Sequence, residues 1–200
     1  MTVIITPKFA FPSSGAHERT PSVPSISQVR STIEIADEDP NLWDLRDVVR
    51  IYNCGVRKVE LEFFCPAHDL VPPSRAIVGD SANRSGQRLI PLGPKTLKAF
   101  GDLQARHPGQ YILGDRPMHI LDRVSRQLHA VAGSIGAGPM ALYSLRRLYF
   151  LRLCHSGISA PIIRYLLGHR QVEWETYLPM TSGELCDLAQ SELTQLGEEL

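Results

Sequence analysis

The sequence predicts a mainly α-helical protein with a small antiparallel β-sheet, an α+β fold in a chain of 200 residues. Apolar residues recur every three or four positions through most of the chain, which is the spacing of an amphipathic helix. Two short apolar runs instead flank a polar segment that contains glycine, which is typical of two strands joined by a hairpin loop. Because 43% of the residues are apolar, the chain can bury one substantial core.

The first part of the chain divides into an arm and a helix. Residues 1–24 are rich in proline and serine and have no sustained apolar period, so we expect a flexible arm there. The first helix is predicted to begin after a cap at Ser25 or Ser27 and to end at Asp39, because Asp39 precedes a proline.

A second helix is predicted from about Leu42 to Asn53, where apolar residues again share one side. Gly55 interrupts the helical pattern soon after it. Arg57 then lies at the start of the following turn, and a second apolar run begins at Val59.

The middle of the chain is predicted to form the sheet. Residues 75–78 and 87–92 are the two strands, and residues 79–86 are the hairpin loop between them. Residues 111–113 are predicted to form a short third strand.

The remaining helices follow from their apolar spacing and end signals. They are predicted at Lys95 to Arg106, Leu121 to Val131, Tyr143 to His155 and Ser159 to Gly168, with a loop at 133–138. A capping-box pattern, Thr181 with Glu184, begins a last helix with leucines on one side. We therefore expect one domain over residues 25–180 and a C-terminal helix within 181–200.

Several protein classes are not expected from the composition. The four cysteines form no Cys-x-x-Cys pair, so neither a disulfide framework nor a metal site is predicted. No run of about 18 uncharged apolar residues is present, and no signal segment follows Met1. We expect a cytoplasmic protein without a membrane partner.

The charge distribution indicates a polyanionic partner. The net charge is zero, but the segment from Arg75 to Arg170 carries fourteen lysines and arginines against four acids. This excess of ten positive charges predicts a basic face of the kind that binds nucleic acid. The alternative is an ordinary solvated surface whose charges are merely unevenly ordered along the chain.

A set of polar residues could hold and attack a phosphodiester. Guanidinium groups stabilise the charge that develops on phosphate oxygens, and Arg57 and Arg146 are the candidates. Tyr143 lies one helical turn before Arg146, so both can face one phosphate. His169 at a helix end can add a hydrogen bond, and Tyr177 is a candidate nucleophile, since positive neighbours lower the pKa of a tyrosine hydroxyl.

Each of these residues also has a structural interpretation. Arg57 could cap a helix, Arg146 could form a surface salt bridge, and His169 could simply finish a helix. Tyr143 could be a core aromatic residue, and Tyr177 a packing residue. The order of the whole set favours the chemical interpretation.

The order and context of these residues resemble the catalytic domain of the tyrosine recombinases, the phage-integrase family. The similarity runs from about residue 25 to residue 179. Residues 54–61 (CGVRKVEL) resemble the block around the family's first arginine, and residues 88–92 (RLIPL) resemble the strand after its lysine hairpin. Residues 143–146 (YSLR) resemble the His-x-x-Arg box, residues 167–169 (LGH) match the Leu-Gly-His box, and Tyr177 matches the nucleophile.

The resemblance implies a site-specific recombinase that acts on double-stranded DNA. Tyr177 would attack a DNA phosphate to give a 3′-phosphotyrosyl link, with Arg57, Tyr143, Arg146 and His169 around that phosphate and no ATP, metal or other cofactor. It further implies a tetramer on DNA and exchange of the C-terminal helix between subunits. The residues expected to contact DNA are Arg84, Arg88, Arg147, Arg164 and Arg170.

Two positions depart from the family pattern and leave a second hypothesis open. Asn83 aligns with the hairpin lysine that protonates the leaving oxygen, and Tyr143 replaces a histidine. Arginine does not readily give up a proton, so Arg84 is a poor substitute, and Lys58 or Lys95 could serve instead. The alternative is a catalytically degenerate protein that regulates by binding DNA, with residues 143–168 acting as a helix-turn-helix.

Overall fold

The predicted mixture of helices and a small sheet is confirmed by a computed structural model, which describes residues 23–80, 83–169 and 181–195. Its elements in chain order are α1 Ile26–Glu38, a 3₁₀ turn Pro40–Leu42, α2 Trp43–Tyr52, α3 Lys58–Glu62, α4 Pro66–Asp69, β1 Leu70–Val71, β2 Arg75–Asp80, β3 Asn83–Pro91, α5 Pro94–Arg106, α6 Pro117–Ser134, α7 Leu142–His155, α8 Ala160–Leu166 and the C-terminal helix α9 Ser182–Gln195. The predicted arm lies outside the described residues except for Val23 and Pro24, and Val23 packs against the core.

Helix α1 begins where the sequence predicts. The Ser25 hydroxyl accepts a hydrogen bond from the Gln28 N–H at 3.2 Å, and the Gln28 side chain accepts one from the Ser25 N–H at 2.8 Å. This reciprocal capping box satisfies two backbone donors that a helix start leaves unpaired. Asp39 ends α1 and caps the 3₁₀ turn that leads into α2.

Helix α2 is the centre of the fold. It contacts α1, α5, α6 and α7, and its Leu45, Val48 and Val49 side chains have no exposed surface. A helix packed on so many sides has a fixed position, and it therefore also fixes where the residues after its end lie. Arg57 is one of them.

Two acidic residues of α2 are buried among arginines, one from α2 itself and two from other helices. Asp47 accepts hydrogen bonds from Arg46 at 2.7 and 2.9 Å and from Arg106 of α5 at 2.5 Å. Asp44 accepts one from Arg106 at 2.9 Å and another from Arg123 of α6. These charge-assisted hydrogen bonds tie α2 to both α5 and α6.

The sheet is antiparallel with strand order β1-β2-β3. The predicted pairing of the two strands is confirmed, since Ala76 of β2 pairs with Ile90 of β3 and Val78 pairs with Arg88. All four residues are buried, so they form the inward face of the sheet. This register places the Arg88 side chain inside the protein. The predicted loop at 79–86 is too long, because the strands continue to pair as far as Asp80 and Asn83.

The third strand was predicted in the wrong place. Residues 111–113 form turns, and the third strand is the two-residue β1, which pairs with β2. The reason lies in backbone hydrogen bonding, because the Ile112 N–H donates to the Phe64 carbonyl just after α3, at 2.9 Å. The 111–113 segment is thus hydrogen-bonded to the chain that follows α3, and the edge of β2 is occupied by β1.

Helix α9 begins with the predicted capping box, in which the Thr181 hydroxyl and Glu184 carboxylate bond to each other and to both backbone N–H groups. It packs against β3 and α8 of its own chain, and its Cys186 and Ala189 side chains are buried there. The leucine stripe predicted for this helix is confirmed for Leu185 and Leu193, which pack against the core. It is wrong for Leu188, which is 40% exposed because Cys186 and Ala189 face the core instead, and residue 196 lies outside the described part.

Replacing Asp47 with asparagine is expected to destabilise the fold by about 3 kcal/mol, because Arg46 and Arg106 would lose the charge that compensates them. The control is Asp37→Asn, because the Asp37 carboxylate is 44% exposed and pairs with Arg46 at 3.3 Å. This substitution should lower the free energy of unfolding by less than about 1 kcal/mol. Urea unfolding of both variants measures the difference, and equal losses would contradict the central position given to α2.

Candidate active site

Arg57 is positioned by a glycine turn at the end of α2. Gly55 has a φ of +80°, a conformation that other residues rarely adopt, and a Cβ there would lie 2.8 Å from the Tyr149 ring. The chain then enters α3, where the Arg57 N–H donates to the Glu60 carboxylate at 2.7 Å. The Arg57 guanidinium extends to the end of α8.

Arg146 reaches the same place from α7 and is 7% exposed. Its guanidinium donates to the Gly55 carbonyl and to the Leu167 carbonyl. Burial, followed by the positive charges of Arg88 and Arg57, lowers the pKa of Arg146 to about 10. Arg146 therefore remains charged at neutral pH, and the prediction of a surface salt bridge is wrong.

Arg88 lies beneath these two arginines and not on the surface. Its side chain is 2% exposed and forms an ion pair with Glu60, with N–O distances of 2.7 and 3.2 Å. Its Nε donates to the Leu166 carbonyl at 2.8 Å. The burial corrects the prediction that Arg88 contacts DNA, because almost none of the side chain is exposed and its N–H groups bond to Glu60 and Leu166.

The three guanidinium groups converge on three consecutive carbonyls at the end of α8. Arg88 binds residue 166, Arg146 binds residue 167, and Arg57 binds residues 167 and 168 at 3.2 and 2.5 Å. The carboxyl end of a helix carries partial negative charge and unpaired carbonyls, so it attracts cations. Glu60 offsets one of the three positive charges, which leaves a strongly cationic centre.

His169 follows directly after this helix end. Gly168 has a φ of +60°, its N–H donates to the Tyr165 carbonyl at 2.9 Å, and the His169 N–H donates to the Arg164 carbonyl at 3.1 Å. This pair of bonds is the Schellman motif that ends helices with a left-handed glycine. His169 is consequently held next to the arginines that grip the preceding carbonyls.

Partial desolvation of the His169 ring and then the charges of Arg146 and Arg57 lower its pKa. The ordinary pKa of histidine is about 6.5, so the ring is neutral at pH 7. A neutral imidazole can accept a proton or donate one hydrogen bond.

The other predicted site residues occupy several positions. Tyr143 is 70% exposed at the start of α7, one turn from Arg146, so the alternative of a core aromatic residue is wrong. Arg164 is exposed on α8 and Arg147 is half-buried on α7. Tyr177, Arg170 and the Arg84 side chain lie outside the described residues.

Two alternatives left open by the sequence can be located. Lys58 forms an ion pair with Asp122 of α6 at 3.4 Å, which directs it toward that helix. Lys95 is exposed in the first turn of α5. Glu60 was not singled out from the sequence as a site residue, although it contacts both Arg57 and Arg88.

The basic segment of the sequence is partly neutralised by the fold. Within the described residues, five of its fourteen basic residues form ion pairs with carboxylates. These five are Arg75, Arg88, Lys98, Arg106 and Arg123. Four of the five carboxylates involved lie before residue 75 or after residue 170. The excess of ten charges therefore overstates the basic surface of the folded protein.

The described residues contain no group of three or more His, Cys, Asp or Glu side chains that could hold a metal ion. Among the same residues, none of the helices has the length and apolar character needed to cross a membrane. All four cysteines lie in the described part and are free thiols.

Solved structures with the same fold are recombinases and integrases. The XerA recombinase matches with a TM-score of 0.61 and 17% identity, over 92% of this chain and 66% of that one. The Tn1549 transposon integrase in complex with transposon right end DNA gives 0.63 and 16%, over 92% and 68%. The lambda integrase catalytic core gives 0.55 and 21%, over 74% and 92%.

These likenesses establish that the chain has the fold of a tyrosine recombinase catalytic domain. The chain spans about two thirds of the XerA recombinase and Tn1549 integrase chains. No protein-family model and no curated protein matches the sequence.

Gly168→Ala is expected to destabilise the protein by about 3 kcal/mol. A Cβ at this position would lie 2.8 Å from the Arg88 guanidinium carbon, and the left-handed conformation adds its own strain. Gly157→Ala is the matched control, because Gly157 has a φ of +76° but open space around it, and should cost only about 1 kcal/mol. Thermal unfolding of the two variants measures the difference. Equal losses of stability would mean that Arg88 does not pack closely against Gly168.

Sulfate is expected to raise the pKa of His169. An anion held by Arg57 and Arg146 would offset the charges that lower this pKa, so the imidazolium form would become more favourable. By linkage, sulfate should then bind more tightly as the pH falls through the His169 pKa. NMR titration of the His169 ring, with and without sulfate at fixed ionic strength, measures the shift, and an unchanged midpoint would contradict an anion site here.

Proposed function

We propose that this protein is a site-specific DNA recombinase that cleaves and rejoins DNA through a 3′-phosphotyrosyl intermediate on Tyr177. The observation that supports this proposal most is the convergence of Arg57, Arg146 and His169 at the carboxyl end of α8. Two arginines from distant parts of the sequence form a cationic centre beside the neutral His169, and this arrangement fits a phosphodiester. This is also the set that the family resemblance assigns to the scissile phosphate.

The arginines have donors left for a phosphate. The hydrogen bonds of Arg57 to described residues use its Nη2, and its Nε and Nη1 groups make none. Arg146 has five N–H groups and uses Nη1 and Nη2 for carbonyls. Because the carbonyl bonds fix both side chains in advance, the remaining N–H groups can stabilise the charge that develops on the non-bridging oxygens.

The reaction would exchange one phosphoester bond for another. The Tyr177 oxygen bonds to phosphorus, the phosphorus–5′-oxygen bond breaks, and the 5′-oxygen takes up a proton. Neutral His169 can accept the proton that the tyrosine hydroxyl loses, and Tyr143 can donate a hydrogen bond from the exposed edge of the site. Religation reverses these steps without an external energy source, since the phosphotyrosyl link retains the bond energy.

The tether between His169 and Tyr177 is short. Eight positions separate them, a distance of at most about 28 Å when fully extended. The intervening chain is therefore long enough for the Tyr177 hydroxyl to reach the phosphate site.

Duplex DNA is the proposed partner, with Arg84, Arg147, Arg164 and Arg170 as backbone contacts. Solved neighbours include the Tn1549 integrase with transposon DNA and a lambda integrase tetramer bound to a Holliday junction. We extend to this chain the proposal of a tetramer on DNA. Exchange of α9 between subunits would require the helix to leave the β3 and α8 surface that it covers in its own chain.

A duplex with a nick near the cleavage site should trap a covalent protein–DNA adduct, because the short leaving strand diffuses away before religation. Denaturing gel electrophoresis would detect the adduct with the wild-type protein and not with Tyr177→Phe. Tyr111→Phe is the matched control, since Tyr111 packs edge-to-face against Phe63 and is not one of the proposed site residues. If Tyr177→Phe traps as much DNA as the wild type, the nucleophile is another residue.

A second candidate function is a DNA-binding regulator that has lost catalysis. The observation that favours it is Asn83 at the position of the family's hairpin lysine, where β3 begins. An amide cannot protonate the leaving 5′-oxygen, and general-acid catalysis contributes about 10²–10⁴-fold to a rate. Such a regulator would bind duplex DNA with a steep salt dependence and form no adduct.

Asn83→Lys tests the two candidates against each other. In an active recombinase the variant should form the adduct at least about 10-fold faster, since it regains a general acid. If the wild type forms no adduct only because it lacks this general acid, Asn83→Lys should form a measurable amount of adduct. If neither form yields an adduct on DNA that both bind, the regulator is the better account.

A further inference from the structure

Arg88 is a charged side chain in the interior, and the phosphate chemistry leaves it without a role. Its partner Glu60 is equally buried, with a side chain 1% exposed. A buried ion pair adds little stability over apolar side chains of similar size, because desolvation of the charges offsets their attraction. Stability alone is therefore a weak reason for this pair, and its contacts suggest another.

The contacts of Arg88 fasten strand β3 to helix α8. Its Nε donates to the Leu166 carbonyl at 2.8 Å. The next residue, Leu89, accepts a hydrogen bond from the Tyr165 hydroxyl at 2.5 Å, and its N–H donates to the same hydroxyl at 3.2 Å. Two consecutive residues of the strand thus hold two consecutive residues of the last turn of the helix.

The Arg88 guanidinium also supports the turn that carries His169. It lies directly against Gly168, where even a Cβ would be too close. Glu60 connects this support to the phosphate ligands, since its carboxylate accepts from Arg88 and from the Arg57 N–H at 2.7 Å. Arg88 is thus in contact with the helix end on one side and with the carboxylate that fixes Arg57 on the other.

These contacts need the shape of an arginine. The planar fork places two N–H groups on Glu60 while Nε reaches a carbonyl in a different direction. A lysine carries its charge at one point and cannot make the two contacts with the same geometry. The geometry is therefore specific to arginine, beyond its charge.

We propose that Arg88 is a positioning residue that holds the carboxyl end of α8, and with it His169, in the correct position relative to Arg57 and Arg146. The importance of this placement for strand transfer rests on the proposed function. The placement itself is a property of the folded protein and can be measured without DNA.

The experiment compares the wild type with Arg88→Lys and with a double variant, Arg88→Met and Glu60→Gln. The double variant removes both charges together, so it neither strands a buried charge nor changes the net charge near His169. The measurements are the unfolding temperature, the pKa of His169 by NMR, the affinity for a nicked duplex and the rate of adduct formation. Arg75→Met is the matched control, because Arg75 lies on the neighbouring strand β2 and forms an ion pair with Asp187 of α9.

The pKa of His169 should rise toward its ordinary value in Arg88→Lys, because the ring moves away from the guanidinium groups that lower it. It should rise further in the double variant, which also removes the Arg88 charge that lowers this pKa. Arg75→Met should leave this pKa unchanged. The unfolding temperature of the double variant should fall by no more than about 5 °C. Adduct formation should slow by on the order of 100-fold, since small misplacements of catalytic groups have effects of that size, while duplex affinity changes less than about threefold.

The proposal is overturned if Arg88→Lys matches the wild type in both the His169 pKa and the adduct rate, since charge alone would then suffice. It is equally overturned if the double variant folds and keeps the wild-type pKa. Failure of the proposed function has a different signature, because the wild type would itself form no adduct. The His169 pKa of the variants would still decide the role of Arg88.

Discussion

Three arginines bound to the last carbonyls of one short helix are the interaction on which this structure depends. A helix end normally exposes its unpaired carbonyls to water. Here the end of α8 is bound by side chains from the start of α3, from β3 and from α7, so the helix end joins three parts of the chain. Each guanidinium is oriented in return, and that orientation prepares the site for an anion before any ligand binds.

Glycines at two turns make this arrangement possible. Gly55 places its carbonyl on Arg146 and leaves room for Tyr149, which lies one turn further along α7. Gly168 ends α8 and leaves room for Arg88. Both have positive φ, so the backbone conformation and the close approach of a side chain require glycine at the same positions.

The sequence predicts the helices and the hairpin well because their signals are local. The capping boxes at Ser25 and Thr181 and the glycine after α8 mark ends that the structure confirms. The third strand was misplaced because a two-residue strand is too short to show alternation. The 111–113 run has strand-like residues, but its backbone bonds to Phe64 after α3 and not to a strand. Whether a short apolar segment forms a strand depends on hydrogen-bonding partners that are distant in the sequence.

Arg88 illustrates the same limit at the site. From composition it counts as one more basic residue on a DNA-facing surface, yet it is buried on Glu60. A usable signal was present, because Arg88 and Ile90 are two apart on a strand and must share a face. The convergence of Arg57, Arg146 and His169 was predicted from family motifs, whereas the Glu60 and Arg88 contacts depend on side-chain geometry that spacing does not reveal.

A crystal structure with a nicked duplex would show whether DNA binds at the carboxyl end of α8. We expect one DNA phosphate whose non-bridging oxygens contact Arg57 and Arg146, with His169 beside it and the Tyr177 hydroxyl facing the phosphorus opposite the 5′-oxygen. Arg88 should remain on Glu60, away from the DNA. A duplex bound on another face, with no phosphate at the carboxyl end of α8, would rule out this site.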